Sequence, residues 1–176
     1  MTLSSFRHNF IRSYARKFLL NNEGLFSKRV RDHKIRDCHG DLHLEHIVVT
    51  GDDIIIFDCI EFSHALSIID VMSDVAFLFM DLEHSGHPEL AWHFLNAWLT
   101  KNGDYGGLQV LRLYCVYRAM VRAKVTSIRL AQESGEEEKA KTLAEHHSYI
   151  QLALGYTRPP SPMLLITQGL SGSGKS

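Results

Sequence analysis

Two short segments of this 176-residue chain carry the residue types and spacing that catalysis requires. Segment 38–46 reads CHGDLHLEH and contributes Asp41, and segment 56–61 reads IFDCIE and contributes Asp58. Phosphoryl transfer to an alcohol needs one carboxylate that orients the hydroxyl and accepts its proton. A second carboxylate must hold the Mg²⁺ ion that bridges the nucleotide phosphates. The two segments therefore have the carboxylates that phosphoryl transfer would need.

A β-hairpin is the element that must bring these two carboxylates together. Residues 47–49 are Ile-Val-Val, residues 50–53 are Thr-Gly-Asp-Asp, and residues 54–57 are Ile-Ile-Ile-Phe. Two β-branched runs around a Gly/Asp turn are typical of a hairpin. Its closure is expected to place Asp41 and Asp58 within a few ångströms of each other.

At this point the chain resembles a known family. HGDLH at 39–43, a polar residue five positions after Asp41 and an apolar-Asp segment after a hairpin look like the aminoglycoside phosphotransferase and choline kinase group of the protein-kinase-like fold. The similarity runs from about residue 30 to about residue 130. With IDVMSDVAFLFMDL and YRAMVRAKV, these motifs are similar to bacterial proteins in which a phosphotransferase-like domain precedes a P-loop ATPase domain.

The resemblance implies a role for each matched residue, with ATP and Mg²⁺ as cofactors and the hydroxyl of a small molecule as phosphate acceptor. Asp41 would be the catalytic base, and His39 would orient the loop. Asp58 would be a Mg²⁺ ligand, and His46 takes the place of the family's metal-binding Asn. Asp70 or Asp74 would match the Asp that braces the loop.

The resemblance also implies a nucleotide-binding N-lobe, whereas only 38 residues precede His39. We therefore expect a fragment, a C-lobe without its N-lobe, of the α+β, mainly α class. Apolar spacing predicts helices over about 4–20, 69–80, 90–99 and 108–130, and a charged segment covers 133–149.

The C-terminal residues carry a second motif. Arg158-Pro159-Pro160-Ser161-Pro162 reads as an extended linker, and residues 163–167 have the composition of a strand. Residues 169–176 fit the phosphate loop G-x-x-x-x-G-K-[ST]. Its candidate nucleotide-binding residues are Gly169, Gly172, Gly174, Lys175 and Ser176. The predicted division is a phosphotransferase-like C-lobe (1–157), a linker (158–162) and the truncated start of a P-loop NTPase domain (163–176), which would be a partner within the parent protein.

Two alternatives to the phosphotransferase remain open. His39, His43 and His46 lie close to Asp41 and Glu45, which is compatible with a metal-dependent hydrolase. A zincin motif would need two His on one helical face, and this segment reads as a loop. The missing N-lobe favours the other alternative, a non-catalytic regulatory or interaction module fused to a P-loop ATPase.

Composition limits the partners and the compartment. The formal net charge of −1 argues against binding nucleic acid or anionic lipid through bulk charge. No apolar run is long enough to span a membrane. Cys38, Cys59 and Cys115 have no zinc or redox spacing, which favours a cytoplasmic protein. Cys38 and Cys59 are expected to be small buried thiols. Arg118, Arg122 and Arg129 share one helix face, which we expect to be solvated.

Overall fold

The computed structural model describes residues 3–159, which form a mainly helical α+β fold. The helices and strands are, in chain order, α1 (Leu3–Asn21), α2 (Glu23–Arg31), β1 (Ile35–Asp37), β2 (Ile47–Thr50), β3 (Asp53–Ile56), α3 (His64–Ser67), β4 (Ile68–Asp70), α4 (Val71–His84), α5 (Pro88–Asn102), α6 (Leu108–Gln132) and α7 (Glu136–Thr157). Short 3-10 turns cover Leu44–His46 and Tyr105–Gly107. The coarse class predicted from the sequence, α+β with mainly helices, is confirmed.

Helix α4 is the centre of the core because its residues are apolar on nearly every face. Residues 72–82 are all buried, with Phe77 and Met80 fully so. Helices α5 and α6 pack against α4, α7 packs along α6, and α1 contacts both α6 and α7. A helix that is hydrophobic all round must be covered by its neighbours, and these helices cover it.

Two small antiparallel sheets connect this helical core to the segments that carry the candidate residues. The predicted hairpin is present as β2 and β3, with Ile47 opposite Ile56 and Thr50 opposite Asp53. Strands β1 and β4 form the second sheet, with Ile35 opposite Asp70. The predicted helix over 69–80 is correct from Val71 onward, but Ile69 and Asp70 pair with β1 instead. Helix α2 was not expected.

The ends of the helices follow ordinary capping chemistry. Asp70 caps α4 by accepting a hydrogen bond from the Met72 backbone N–H at 2.9 Å. Helix α5 begins at Pro88, whose fixed φ suits a first turn, and ends before Gly103, which has a φ of +66°. Helix α7 ends at Thr157, and Arg158 is already extended.

The remaining predictions for the C-terminus lie outside the described residues. These are the rest of the linker (160–162) and the strand and P-loop with Gly169, Gly172, Gly174, Lys175 and Ser176. Within residues 3–159, no helix combines the length and the apolar composition that crossing a bilayer requires.

Candidate functional site

The loop that carries Asp41 runs from Cys38 to His43, between strand β1 and the 3-10 turn before β2. Gly40 adopts a φ of +82°, which favours glycine, and its backbone packs closely against the chain around α3. A Cβ at this position would lie 2.8 Å from the Leu66 carbonyl oxygen. Glycine is therefore required at position 40 for both conformation and space.

Asp74 on helix α4 supports this loop through hydrogen bonds to its backbone. Its carboxylate accepts hydrogen bonds from the His39 N–H at 2.9 Å and from the Gly40 N–H at 3.1 Å. Burial raises the pKa of Asp74, while the Arg118 charge and the two loop N–H groups act in the opposite direction. The buried carboxylate thus fixes the backbone that precedes Asp41.

Asp70 has a different task, and the structure does not place it against the loop. Its carboxylate accepts two hydrogen bonds from Arg29, at 2.5 and 2.6 Å, and one from the Tyr114 hydroxyl at 3.2 Å. Arg29 also donates to Asp104 at 2.9 Å. Of the two Asp residues that the sequence offered for bracing the loop, Asp74 contacts it, and Asp70 joins α2 to the start of α4.

Arg118 on helix α6 is a loop-supporting residue that sequence reasoning missed. Its side chain is buried, contrary to the solvated face expected, and its Nη1 donates to the Gly40 carbonyl at 2.8 Å. Its Nε donates to the Ser73 carbonyl at 3.1 Å, and its guanidinium lies 4.7 Å from the centre of the Phe77 ring. Helical spacing identified the face of α6 but not the loop packed against it.

The other two arginines on that face lie nearer the solvent. Arg122 pairs with Glu45 at 3.2 Å, and the half-exposed Arg129 pairs with Glu145 and Glu133. The expected solvated face is therefore correct only towards the end of α6.

His39 connects the loop to the end of the hairpin. Its Nδ1 accepts a hydrogen bond from the Asp41 N–H at 3.3 Å, so its Nε2 carries the proton. Nε2 then donates to the Phe57 carbonyl at 2.8 Å, one residue before Asp58. The His39 ring thereby joins the backbone at Asp41 to the backbone just before Asp58, which fixes the two candidate carboxylates relative to each other.

Asp41 itself is only partly covered, with 36% of its side chain exposed. His43 lies beneath it, with Nε2 3.5 Å from Asp41 Oδ2, and this contact lowers the pKa of Asp41. The His43 ring is buried between His46 and Phe77, and its Nδ1 has no hydrogen-bond partner among the described residues. Asp41 is thus held ionised, as a proton acceptor must be.

His46 lies between the two carboxylates. Its Nδ1 is 2.9 Å from the Asp41 carbonyl oxygen and 3.7 Å from Asp41 Oδ2, and its Nε2 is 3.3 Å from Asp58 Oδ2. The hairpin therefore brings together the four residues predicted from the sequence: His39, Asp41, His46 and Asp58. Asp58 is 73% exposed and has a φ of +60°, in the left-handed region that Asp adopts more readily than most residues other than glycine.

Asp41 and Asp58 border an open cavity of about 560 Å³, between the loop, α3 and α6. Its polar wall includes Asp41, Asp58 and Glu61, and its apolar wall includes Leu66, Tyr117 and Val121. A volume of this size suits a small molecule. Three carboxylates against the single guanidinium of Arg118 favour an uncharged or cationic ligand over an anionic one.

The three cysteines differ in their exposure to solvent. Cys115 is buried, and Cys38 is half-buried with its pKa raised by burial to about 11. Cys59 is exposed at the edge of the cavity, so the expectation of a buried thiol is wrong for this residue. It follows Asp58 in an exposed segment of the chain.

Relatives of this chain include three uncharacterized mycobacterial proteins, two from strains of Mycobacterium tuberculosis and one from Mycobacterium bovis. Each is 33% identical over 160 residues. The aligned region covers 91% of this chain, and the chain spans only 31% of the length of these relatives. No family model matches the chain, and no solved structure matches it.

Proposed function

We propose that this chain carries the catalytic loop of an ATP-dependent phosphotransferase that moves the γ-phosphate to a hydroxyl group of a small molecule. The observation that carries the proposal is the convergence of Asp41 and Asp58 on one cavity, on either side of the His46 ring. This pair matches the two carboxylates that phosphoryl transfer to an alcohol requires.

Each residue has a defined part in the proposed reaction. Asp41 accepts the proton of the acceptor hydroxyl, which requires the ionised carboxylate favoured by His43. His39 holds Asp41 at a fixed position relative to the end of the hairpin. Asp74 and Arg118 position the loop by binding its N–H and C=O groups and do not touch the substrate.

A divalent cation is the other component that the proposal needs, since it neutralises the charge of the nucleotide phosphates. The Asp58 carboxylate would hold it, together with His46. Asp58 is a suitable ligand for Mg²⁺, the ion expected from the sequence. The His46 imidazole is not, because Mg²⁺ prefers oxygen ligands.

The substrate class follows from the shape and charge of the cavity. A volume of about 560 Å³ with three carboxylates and one apolar wall suits a neutral or cationic hydroxyl compound. The parent protein's own acceptor is a separate question, because the chain spans 31% of the length of its relatives.

A metal-dependent hydrolase is the second candidate, and one observation favours it. Asp41, His43 and His46 offer ligand atoms that all lie within 4.8 Å of one another. However, the Nδ1 of His46 is 2.9 Å from the Asp41 carbonyl oxygen, which can only accept a hydrogen bond. That nitrogen therefore carries a proton, so His46 can bind a metal only through Nε2, the nitrogen that faces Asp58.

The test is a calorimetric titration of residues 1–176 with ATP and a divalent cation, combined with a phosphorus-NMR assay of ATP consumption in the presence of hydroxyl compounds. Asp58→Ala should abolish saturable binding. Asp41→Asn should keep nucleotide binding but lower turnover by about 10²–10⁴-fold. Asp53→Ala, in an exposed part of the hairpin, is the control and should change neither quantity.

Three outcomes would contradict the proposal. Unchanged turnover in Asp41→Asn would remove this carboxylate from the reaction. Binding lost only in Lys175→Ala would move the nucleotide site to the P-loop. No saturable binding by the unsubstituted chain would leave the non-catalytic interaction module as the better description.

A further inference from the structure

The His46 ring is oriented by contacts at both of its nitrogens. The Asp41 carbonyl oxygen, 2.9 Å from Nδ1, is an acceptor only, so Nδ1 carries the proton and donates it. In the neutral ring, Nε2 then carries a lone pair. That lone pair faces Asp58 Oδ2 at 3.3 Å, which is also an acceptor.

When the ring is neutral, two acceptors face each other at this point, and either a proton or a metal ion between them would satisfy both. A single metal ion could bond both atoms, because the 3.3 Å separation is shorter than two metal–ligand bonds of about 2.0–2.2 Å. Asp58 is held here with a φ of +60°.

The His43 ring packs against His46 and keeps this geometry in place. The buried His43 lies with its ring centre 4.2 Å from that of His46 and its Nε2 3.5 Å from Asp41 Oδ2. Only 15% of the His46 side chain is exposed. The ring is therefore packed so that Nε2 points towards Asp58, as supporting contacts do around metal-binding histidines.

The ligand types decide which ion fits. Imidazole nitrogen binds Zn²⁺ and other transition ions well, whereas Mg²⁺ favours oxygen and retains its water. We propose that the cation site between His46 Nε2 and Asp58 Oδ2 selects a divalent transition ion such as Zn²⁺ over Mg²⁺, and that His46 sets this selectivity. The inference deepens the proposed function by naming the ion of the same site, and it rests on that function only for the ion's role in catalysis.

The experiment measures binding of two probes, Zn²⁺ and Mg²⁺, to chelator-treated chain 1–176 in the absence of nucleotide. Because Zn²⁺ binds most protein sites more tightly than Mg²⁺, the decisive quantity is the ratio of the two affinities in each variant. His46→Asn should lower Zn²⁺ affinity at least about tenfold without lowering Mg²⁺ affinity, since an amide oxygen replaces the imidazole. Asp58→Ala should weaken both ions.

Two further variants locate the ion. His93→Asn, on the exposed side of α5, is the matched histidine control and should leave both affinities unchanged. His43→Asn should weaken Zn²⁺ less than Asp58→Ala does, because His43 supports the site without binding the ion. Co²⁺ provides a spectroscopic check, since its visible absorption should change in His46→Asn and not in His93→Asn. Asp58 is exposed, so Asp58→Ala keeps the test valid if His46→Asn does not fold.

Three results would overturn the inference. These are no saturable Zn²⁺ binding, an affinity ratio that His46→Asn leaves unchanged, and Zn²⁺ binding that depends on His43 but not on Asp58. None of these results depends on turnover. Phosphotransfer that requires Asp41 could still be observed alongside any of them, and a selective metal site could be observed without turnover, so the two proposals fail separately.

Discussion

Asp41 and Asp58 face the same cavity, but the segments that carry them are held in different ways. The loop before Asp41 is bound by two buried side chains, Asp74 and Arg118, which come from α4 and α6. The segment around Asp58 is exposed. It is joined to the rest of the site by the His39 side chain and by two backbone hydrogen bonds, Phe57 N–H to His46 O and Ile60 N–H to His39 O.

Because of this difference, we expect substitutions in the two segments to change different properties of the protein. Substitutions that remove support for the Asp41 loop should destabilise the whole helical core, because the supporting residues belong to it. Substitutions in the Asp58 segment should alter binding while leaving the free energy of unfolding nearly unchanged. Three pairs of substitutions test this comparison, beginning with the largest expected effect.

Asp74→Ala should have the largest effect. It leaves two loop N–H groups without their acceptor and the buried Arg118 without its nearest carboxylate, which is 3.9 Å away. We expect the free energy of unfolding to fall by about 3–5 kcal/mol, measured by urea denaturation. The control, Asp53→Ala in the hairpin, should change it by less than about 0.5 kcal/mol. Equal effects of the two substitutions would remove the proposed distinction.

Gly40→Ala and Gly51→Ala form a matched pair, because both glycines have positive φ, +82° and +62°. Each alanine should cost about 1–2 kcal/mol for the left-handed backbone. Only at Gly40 would the new Cβ meet another atom, the Leu66 carbonyl oxygen, which should add about 1–3 kcal/mol of overpacking. Thermal denaturation of the two variants measures the difference, and a Gly51→Ala cost equal to that of Gly40→Ala would argue against close packing at the loop.

Asp58→Gly and Asp58→Ala should differ by the smallest amount. Both variants lose the carboxylate, and the φ of +60° at this position is disfavoured for alanine but not for glycine. We expect Asp58→Gly to be more stable than Asp58→Ala by about 1 kcal/mol in urea denaturation. The opposite order would mean that the chain around Asp58 relaxes to negative φ once the carboxylate is removed.

Local patterns in the sequence were sufficient for the elements that depend on neighbouring residues. Apolar spacing predicted α1, α5 and α6, and β-branched runs around a Gly-containing turn predicted the hairpin. The β1–β4 pair escaped prediction because each strand has three residues, too few to show a period, and its partners are more than thirty positions apart. Helix α2 escaped because Asn21, Asn22 and Gly24 suggested that the helical region ends there.

The candidate site was predictable in its residues but not in its supports. Asp41, His39, Asp58 and His46 are identified by a short motif and a hairpin. The choice between Asp70 and Asp74 depends on which side of α4 meets the loop, and four residues of spacing do not distinguish the two. The burial of Arg118 depends likewise on the packing of α6 against α4, which no local pattern encodes.

The supports of the Asp41 loop also have a consequence for the order of events during synthesis. His39 is 35 positions before Asp74, and Gly40 is 78 positions before Arg118. On the ribosome, where N-terminal segments emerge first, the loop leaves the exit tunnel long before its partners do. The loop therefore obtains its complete set of hydrogen bonds only after α6 has emerged and docked, so a nascent chain that stalls before Arg118 cannot form the site.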